Sequence, residues 1–255
     1  MRNVKTYFLA AASCLLVAGS LQAQTATGQM KWVGVNGSWG AYNNTGTGAA
    51  MWNVYTSPYL AKFKIPTLPT NQAQLPPALA GGFGPTADIF CVDFNHYANT
   101  GTSNVFFTNL GTGGGYLGTY TRSNNITKYL AAAYLSQQII ANPSNSGLLN
   151  GAIWQIMSGQ PNYYKNGNTW QSVTATANSA MTYATNHGND YKNDWVVVTE
   201  GYKTIDRLGH TQVTLGDHQE FLVHVTPEPA TLLLLGTGLV VMLLGAGAFR
   251  RQTVL

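Results

Sequence analysis

The chain has 255 residues and a formal net charge of +4, and only 9% of its residues are charged. Four basic residues lie at the two ends of the chain, so residues 24–249 carry nine basic and nine acidic residues and are neutral. A neutral body with no basic stripe excludes nucleic-acid binding as the reason for the basic isoelectric point. Its many Trp, Tyr and Phe residues argue against disorder, and its length suffices for one core.

The first 23 residues have the three parts of a secretory signal peptide. Arg2 and Lys5 supply the positive charge, and Tyr7–Gly19 is an apolar segment too short to remain as a membrane-spanning helix. Small residues follow it, and cleavage is predicted after Ala23. Cys14 lies inside the apolar segment rather than after it, which argues against a lipoprotein. The mature chain is therefore expected to hold one cysteine.

Eight strands are predicted in the body, because short runs of β-branched and aromatic residues alternate with Gly-, Asn- and Pro-rich turns. These strands are Lys31–Val35, Met51–Tyr55, Tyr59–Ile65, Ala87–Asp93, Asn104–Thr108, Trp195–Thr199, Thr211–Leu215 and Glu220–Val225. Residues 66–85 are rich in Pro and Gln and are predicted to form a long surface loop.

The middle of the chain is predicted to be helical. Apolar residues recur at helical spacing over residues 126–140 and 148–157. The first helix is predicted to end at Asn142-Pro143 and the second at Ser158-Gly159. The Ala- and Thr-rich segment Trp170–Asn186 predicts a third helix. Strands on both sides of these helices predict one α+β domain over residues 24–226. We expect mostly an antiparallel β sheet or sandwich, with a small helical insertion at about 126–186.

The stretch Ile89–His96 (IFCVDFNH) places the single remaining cysteine, Cys91, in a predicted strand. A lone cysteine in an exported protein is notable because oxidising compartments pair, modify or use thiols. Cys91 and His96 would form a nucleophile and base only if the chain turned between them, and no third group is indicated. Asp93 is expected to cap that turn with Asn95. A buried structural cysteine is the simpler interpretation.

No metal site, cofactor site or catalytic residue is predicted. The polar segment Asn186–Asp194 offers oxygen ligands but lacks the spacing of a calcium loop, and we interpret it as a solvated loop. His210, His218 and His224 match no metal-binding motif and are interpreted as solvent-facing or rim residues. Aromatic faces suit sugar rings, and Trp39, in Gly-Ser-Trp-Gly, is the best candidate for an exposed platform.

The C-terminus has three consecutive parts. They are Pro227-Glu228-Pro229, the uncharged apolar run Ala230–Phe249, and the pair Arg250 and Arg251. The apolar run has the length of a transmembrane helix, and the basic pair that follows it places the body outside the inner membrane. The combination resembles the PEP-CTERM sorting signal of Gram-negative bacteria. That resemblance implies recognition by an exosortase, removal of the helix near Pro227–Pro229, and delivery to the cell surface or to the exopolysaccharide matrix of a biofilm.

The body carries further resemblances. Four segments resemble a recurrent set of small PEP-CTERM surface proteins: Phe90–His96, Ala131–Leu135, Asn150–Trp154 and Gln219–Val223. The cysteine motif and the Ala-Ile-Trp helix also resemble thioester domains of bacterial surface adhesins. In that family a cysteine sulfur and a glutamine carbonyl form an internal thioester that acylates amines or hydroxyls. Here Asn150 stands four residues before Trp154, where the family has Gln, and its side chain is one methylene shorter.

These patterns predict a signal peptide (1–23), an extracytoplasmic α+β domain (24–226) and a sorting signal (227–251). We expect a non-enzymatic structural or adhesive protein whose partners are an exosortase, the inner membrane before processing, and exopolysaccharide or another surface polymer. Two alternatives stay open. One is a covalent adhesin in which Cys91 and Asn150 form a thioester-like pair, supported by Asp93, His96 and Trp154. The other is a secreted hydrolase of matrix polymer.

Overall fold

The computed structural model describes residues 26–64, 83–98, 100–111 and 116–225. The predicted signal peptide with its cleavage site at Ala23, most of the 66–85 loop, and the sorting signal with its apolar run 230–249 lie outside these residues. Within the described ranges, no helix combines the length and the apolar character needed to cross a membrane.

Eleven strands and three α-helices make up the described part of the chain. The strands are β1 Ala26–Val35, β2 Trp39–Asn43, β3 Trp52–Tyr55, β4 Tyr59–Lys64, β5 Thr86–Cys91, β6 Thr102–Asn109, β7 Tyr163–Asn166, β8 Thr169–Ser172, β9 Trp195–Ile205, β10 Thr211–Leu215 and β11 Phe221–His224. The helices are α1 Ile126–Ala141, α2 Ser146–Ser158 and α3 Thr174–His187. The chain is thus α+β with strands dominant, as predicted.

The larger sheet closes on itself rather than stacking as a sandwich. Its order is β10-β9-β11-β5-β4-β1-β6, with every pair antiparallel, and β6 also pairs with β9. Closure arises because Val196–Val198 of β9 pairs with β11 along one edge and with β6 along the other. The result is a closed six-stranded barrel with β10 as an extra strand. Closure leaves these six strands without the unpaired edges that a sandwich would keep.

The helices pack together and share one core with the barrel. α1 begins at the N-cap Asn125, whose side chain accepts the Thr127 and Lys128 N–H groups, and its buried residues include Tyr129, Leu135 and Ile139. α2 ends at Gly159, which adopts a left-handed conformation (φ 79°) suited to glycine. The buried apolar residues of the barrel and helices form one continuous cluster.

A second, four-stranded sheet has the order β3-β2-β7-β8 and packs against α2. Tyr42 of β2 is fully buried, and its hydroxyl donates to the Gly147 carbonyl of α2 at 2.8 Å. Three strands of this sheet (β2, β7 and β8) are absent from the sequence prediction. The third helix begins at Thr174 rather than at Trp170, because residues 169–172 pair with β7 as strand β8. The predicted helical insertion therefore also contains a β-hairpin.

Candidate functional site

Cys91 is the last residue of β5 and is fully buried. Its backbone N–H donates to Ser57 Oγ at 3.0 Å, and its thiol donates to the Asp93 carbonyl oxygen at 3.2 Å. Burial raises the pKa of the thiol to about 12, an effect that hydrogen-bonding interactions with the Trp154 side chain and the Asp93 backbone partly oppose. The thiol is therefore neutral at physiological pH and shielded from solvent.

Asn150 and Trp154 lie one turn apart on α2, and both are buried. Asn150 Oδ1 accepts the Ser57 N–H at 2.6 Å, whereas its Nδ2 has no hydrogen-bond partner among the described residues. The Trp154 ring packs between Tyr42 and Phe94, with centroid distances of 5.3 and 4.9 Å. Its Nε1 has no hydrogen-bond partner in the described region, although the Trp154 side chain opposes the rise in the pKa of the Cys91 thiol.

Ser57 joins the two halves of this site, which we call the cysteine site (Ser57, Cys91, Asn150 and Trp154). It is fully buried in the turn between β3 and β4. Its Oγ accepts a hydrogen bond from the Cys91 N–H, and its own N–H donates a hydrogen bond to Asn150 Oδ1. The structure thus brings together the cysteine, the asparagine and the tryptophan that the sequence motifs pair. Sequence reasoning missed Ser57, because Thr-Ser-Pro is typical of an ordinary turn.

Asp93 and His96 lie beside the cysteine site and contact each other. Asp93 Oδ2 is 2.6 Å from His96 Nδ1 and 2.8 Å from Arg122 Nε. Asp93 Oδ1 accepts the Asn95 N–H at 3.1 Å, which is the turn contact expected from the sequence. His96 Nε2 lies 3.4 Å from Arg122 Nη1. Both ring nitrogens of His96 therefore face groups other than the Cys91 thiol, and these contacts do not assemble a nucleophile and base.

Arg122 connects this turn to the segment between β10 and β11. Its Nη2 donates to the carbonyl oxygens of Gly216 (2.6 Å) and His218 (2.5 Å), while its Nε contacts Asp93. Sequence reasoning missed this residue. A usable signal existed, since Arg122 is one of only two arginines between residues 24 and 249 of a chain that is poor in charge.

Glu220 is a second buried acid near the cysteine site, and it was also missed as a site residue. Its carboxylate accepts hydrogen bonds from Thr199 Oγ1 (2.6 Å), the Tyr129 hydroxyl (2.5 Å) and the Arg122 N–H (2.9 Å). Burial raises the pKa of Glu220, and the three donors oppose that rise. The carboxyl group therefore links α1 and β9 to the residue that directly precedes β11.

A pocket of about 180 Å³ opens next to these groups. Its lining includes Val92, Asp93, His96, Arg122, Met157 and Glu220. Asp93, Arg122 and Glu220 each pair with groups in the pocket wall, so the pocket offers a ligand little uncompensated charge.

The three histidines that the sequence analysis weighed as metal ligands lie at separate places. His210 contacts Asp206 at 3.0 Å, His218 pairs with Glu200, and the His224 ring lies 5.0 Å from the Trp195 ring. Over the ranges that the structure covers, no three His, Cys, Asp or Glu side chains are grouped closely enough to hold a metal ion.

Comparison with known proteins finds no matching family model, no matching curated protein and no matching solved structure.

Proposed function

We propose that this chain is an exported structural or adhesive protein of the surface or extracellular matrix of a Gram-negative bacterium, sorted by an exosortase. The observation that carries the proposal is the C-terminal succession of Pro227-Glu228-Pro229, the apolar run 230–249 and the pair Arg250 and Arg251. The N-terminal pattern that ends at Ala23 supports export across the inner membrane. Exosortase and the inner membrane are then partners during processing, and surface polymer is the partner afterwards.

The contacts in the body favour a non-catalytic role. A hydrolase needs a nucleophile or an acid that can reach its substrate in the right protonation state. The Cys91 thiol is buried with its pKa raised to about 12, and both nitrogens of His96 face Asp93 and Arg122. Glu220 is enclosed by three hydrogen-bond donors. Each group serves the packing of the domain, which argues against a hydrolase of matrix polymer.

The sorting proposal is tested with the full chain in a Gram-negative host that carries an exosortase, and in the same host without it. We expect the double variant Pro227→Ala and Glu228→Ala to keep its tail and to stay in the inner-membrane fraction. Deletion of residues 252–255, which follow the arginine pair, is the matched control and should sort normally. Release of the double variant, or of the unaltered chain without exosortase, would overturn the proposal.

A second candidate function, covalent adhesion through a thioester, is favoured by the geometry around Asn150. Within the part of the chain that the structure describes, its Nδ2 is buried without a hydrogen-bond partner, and its Oδ1 accepts the Ser57 N–H. In the reaction the Cys91 sulfur would bond to Asn150 Cγ, the Cγ–Nδ2 bond would break, and the amide nitrogen would leave as ammonia with the thiol proton. The Ser57 N–H would stabilise the negative oxygen of the tetrahedral intermediate.

Intact mass of the full chain, with and without methylamine, tests this second candidate. A thioester predicts a mass lower by one ammonia, and methylamine should raise that mass by one methylamine. The variant Cys91→Ala is the matched control and should show neither change. A chain of full mass that methylamine leaves unchanged would exclude the thioester and leave the sorting proposal intact.

A further inference from the structure

The four-stranded sheet presents an outer face that the cysteine site does not use. Side chains alternate along each strand, so Trp39, Ala41 and Asn43 share one face of β2. Tyr55 lies opposite Trp39, and Tyr163 lies opposite Asn43. On the hairpin of β7 and β8, Lys165 lies two residues after Tyr163 and opposite Trp170. We call these five side chains the aromatic face: Trp39, Tyr55, Tyr163, Lys165 and Trp170.

The opposite face of the same sheet is already occupied. Tyr42 is fully buried against Trp154 and Tyr164, with ring centroids at 5.3 and 5.4 Å. Trp52, which lies opposite Tyr42, packs edge-on against Phe94 at 5.1 Å. Aromatic residues on that face therefore belong to the core. Core packing therefore does not explain the aromatic residues of the aromatic face.

Trp39 and Tyr55 form a platform at the solvent. Trp39 is 62% exposed and Tyr55 is 40% exposed, and their ring centroids lie 4.0 Å apart with an interplanar angle of 33°. Large aromatic side chains tend to be buried or to mark binding surfaces, because exposing them to water is costly. A cross-strand pair held this close is already ordered, so little conformational entropy is lost when a ligand binds to it.

The strands that form the aromatic face carry one basic residue and no acidic residue. That basic residue is Lys165 of β7. Its Nζ lies 5.8 Å from the centroid of the Trp170 ring, within reach of a cation–π contact. Polar side chains, Asn53 and Ser172, lie on the same face and are exposed. The surface thus combines aromatic rings, hydrogen-bonding groups and one cation.

We propose that the aromatic face binds an acidic polysaccharide, a polymer of sugar rings that carry carboxylate groups. The C–H faces of the rings would stack on Trp39 with Tyr55 and on Trp170, and Lys165 would pair with a carboxylate. Trp170 lies two strands across and about two residues along from Trp39, a Cα separation of roughly 12 Å. That span exceeds one sugar ring, which suits a polymer better than a monosaccharide.

This inference rests on the proposed function, since an exported protein of the matrix meets such polymers, but it is tested independently of sorting. The full chain is purified in detergent from a host without exosortase, so a failure of sorting does not affect the result. Binding to polygalacturonate, an acidic polymer, and to dextran, a neutral one, is measured by calorimetric titration. We expect polygalacturonate to bind more tightly, with affinity falling as salt rises.

Variants of side chains on the aromatic face locate the binding surface; Trp39 is exposed, and Lys165 and Trp170 are partly exposed. Trp39→Ala and Trp170→Ala should each weaken polygalacturonate binding by at least about tenfold, as expected for aromatic side chains that dominate an interface. Lys165→Gln should weaken binding of polygalacturonate but not of dextran. Matched controls are Tyr97→Ala, at a tyrosine that is 87% exposed on another surface, and Lys31→Gln, at an exposed lysine of β1. Both controls should bind as the unaltered chain does.

Three results would overturn the inference. The first is no binding of polygalacturonate by the folded full chain. The second is unchanged affinity in Trp39→Ala, or an equal loss in Tyr97→Ala, because either would place the binding surface elsewhere. The third is equal affinity for dextran and polygalacturonate, which would remove the acidic polymer as the ligand. Unchanged melting temperatures would show that any loss of affinity does not come from unfolding.

Discussion

A free Cys91 thiol predicts a defined loss of stability in alkaline solution. Its pKa in the folded protein is raised to about 12 by burial, whereas that of an unfolded cysteine is about 8.5. A raised folded-state pKa stabilises the fold fully below about pH 8.5 and loses this effect as the pH rises towards 12, because the unfolded chain releases its proton first. At pH 9.5 the unfolded thiol is ionised about ten to one, which lowers the free energy of unfolding by about 1.4 kcal/mol.

The assay compares urea unfolding of the full chain and of Cys91→Ala at pH 7.5 and pH 9.5, followed by tryptophan fluorescence. The alanine variant is expected to be roughly 1 kcal/mol less stable than the unaltered chain at pH 7.5, since truncation removes a few buried contacts. Only the unaltered chain should lose the additional 1.4 kcal/mol at pH 9.5. Burial also raises the pKa of Tyr42, Tyr59 and Tyr129, but these tyrosines are common to both proteins, so their contribution to the pH dependence cancels in the comparison.

Equal pH dependence in the two proteins would refute a free, buried thiol. Two causes would then remain, and intact mass separates them. A thioester has no titratable thiol and gives a mass lower by one ammonia. An exposed thiol of ordinary pKa gives the full mass and reacts with an alkylating reagent in the native protein.

Three further predictions concern the packing around the cysteine site. Asn150→Ala leaves the buried Ser57 N–H without its acceptor and should lower the free energy of unfolding by about 1–3 kcal/mol; an unchanged urea midpoint would contradict this. Glu220 has a raised pKa, so its stabilising effect is present below about pH 4.3 and lost as the pH rises. Glu220→Gln should therefore flatten the decline in stability as the pH rises above about 4.3, and parallel pH profiles would count against this reasoning. Gly147→Ala would place a Cβ 2.2 Å from Tyr164 Cζ and should cost about 1–3 kcal/mol; a higher melting temperature would show that the ring moves aside freely.

The strands of the larger sheet were largely predictable, because each carries a run of β-branched and aromatic residues long enough to stand out. Thr211–Leu215 agrees with the predicted bounds, and Tyr59–Lys64 differs by one residue. The small sheet was not predictable in the same way. Its strands have four or five residues and contain Asn, Gly, Lys and Gln, so their stability comes from pairing and from packing on α2 rather than from local propensity.

The sequence pattern also did not predict that the larger sheet closes into a barrel. Alternation of buried and exposed positions indicates that a strand has a core face, but it does not indicate which strands pair. The decisive fact is that one segment of β9 pairs on both edges, with β6 and with β11, which lie on opposite sides of it. Strands β6 and β11 are far apart in the chain, and local sequence patterns do not determine that both lie beside β9. The expectation of an antiparallel sheet or sandwich was therefore only partly confirmed.

For the cysteine site, the sequence identified the side chains that lie on regular elements and missed those that connect them. Cys91 ends a strand, and Asn150 and Trp154 share one face of a helix, so spacing alone pairs the latter two. Ser57 and Arg122 lie in connecting segments, where no periodicity applies. Their roles depend on hydrogen bonds to residues tens of positions away, which a local pattern does not indicate.

Helix α2 contacts both the buried cysteine site and the sheet that carries the aromatic face. Asn150 and Trp154 face the cysteine site, whereas Gly147 and Gly151 face the small sheet, where an added Cβ would lie within 3 Å of Tyr164 and Tyr42 respectively. Gly147 and Gly151 allow the small sheet to pack closely against α2. This packing holds in place the sheet whose outer face carries Trp39. A variant that loosens the sheet through α2 would lower stability and polysaccharide affinity together. Trp39→Ala should lower affinity alone, and this difference separates a contact with the polymer from support of the sheet.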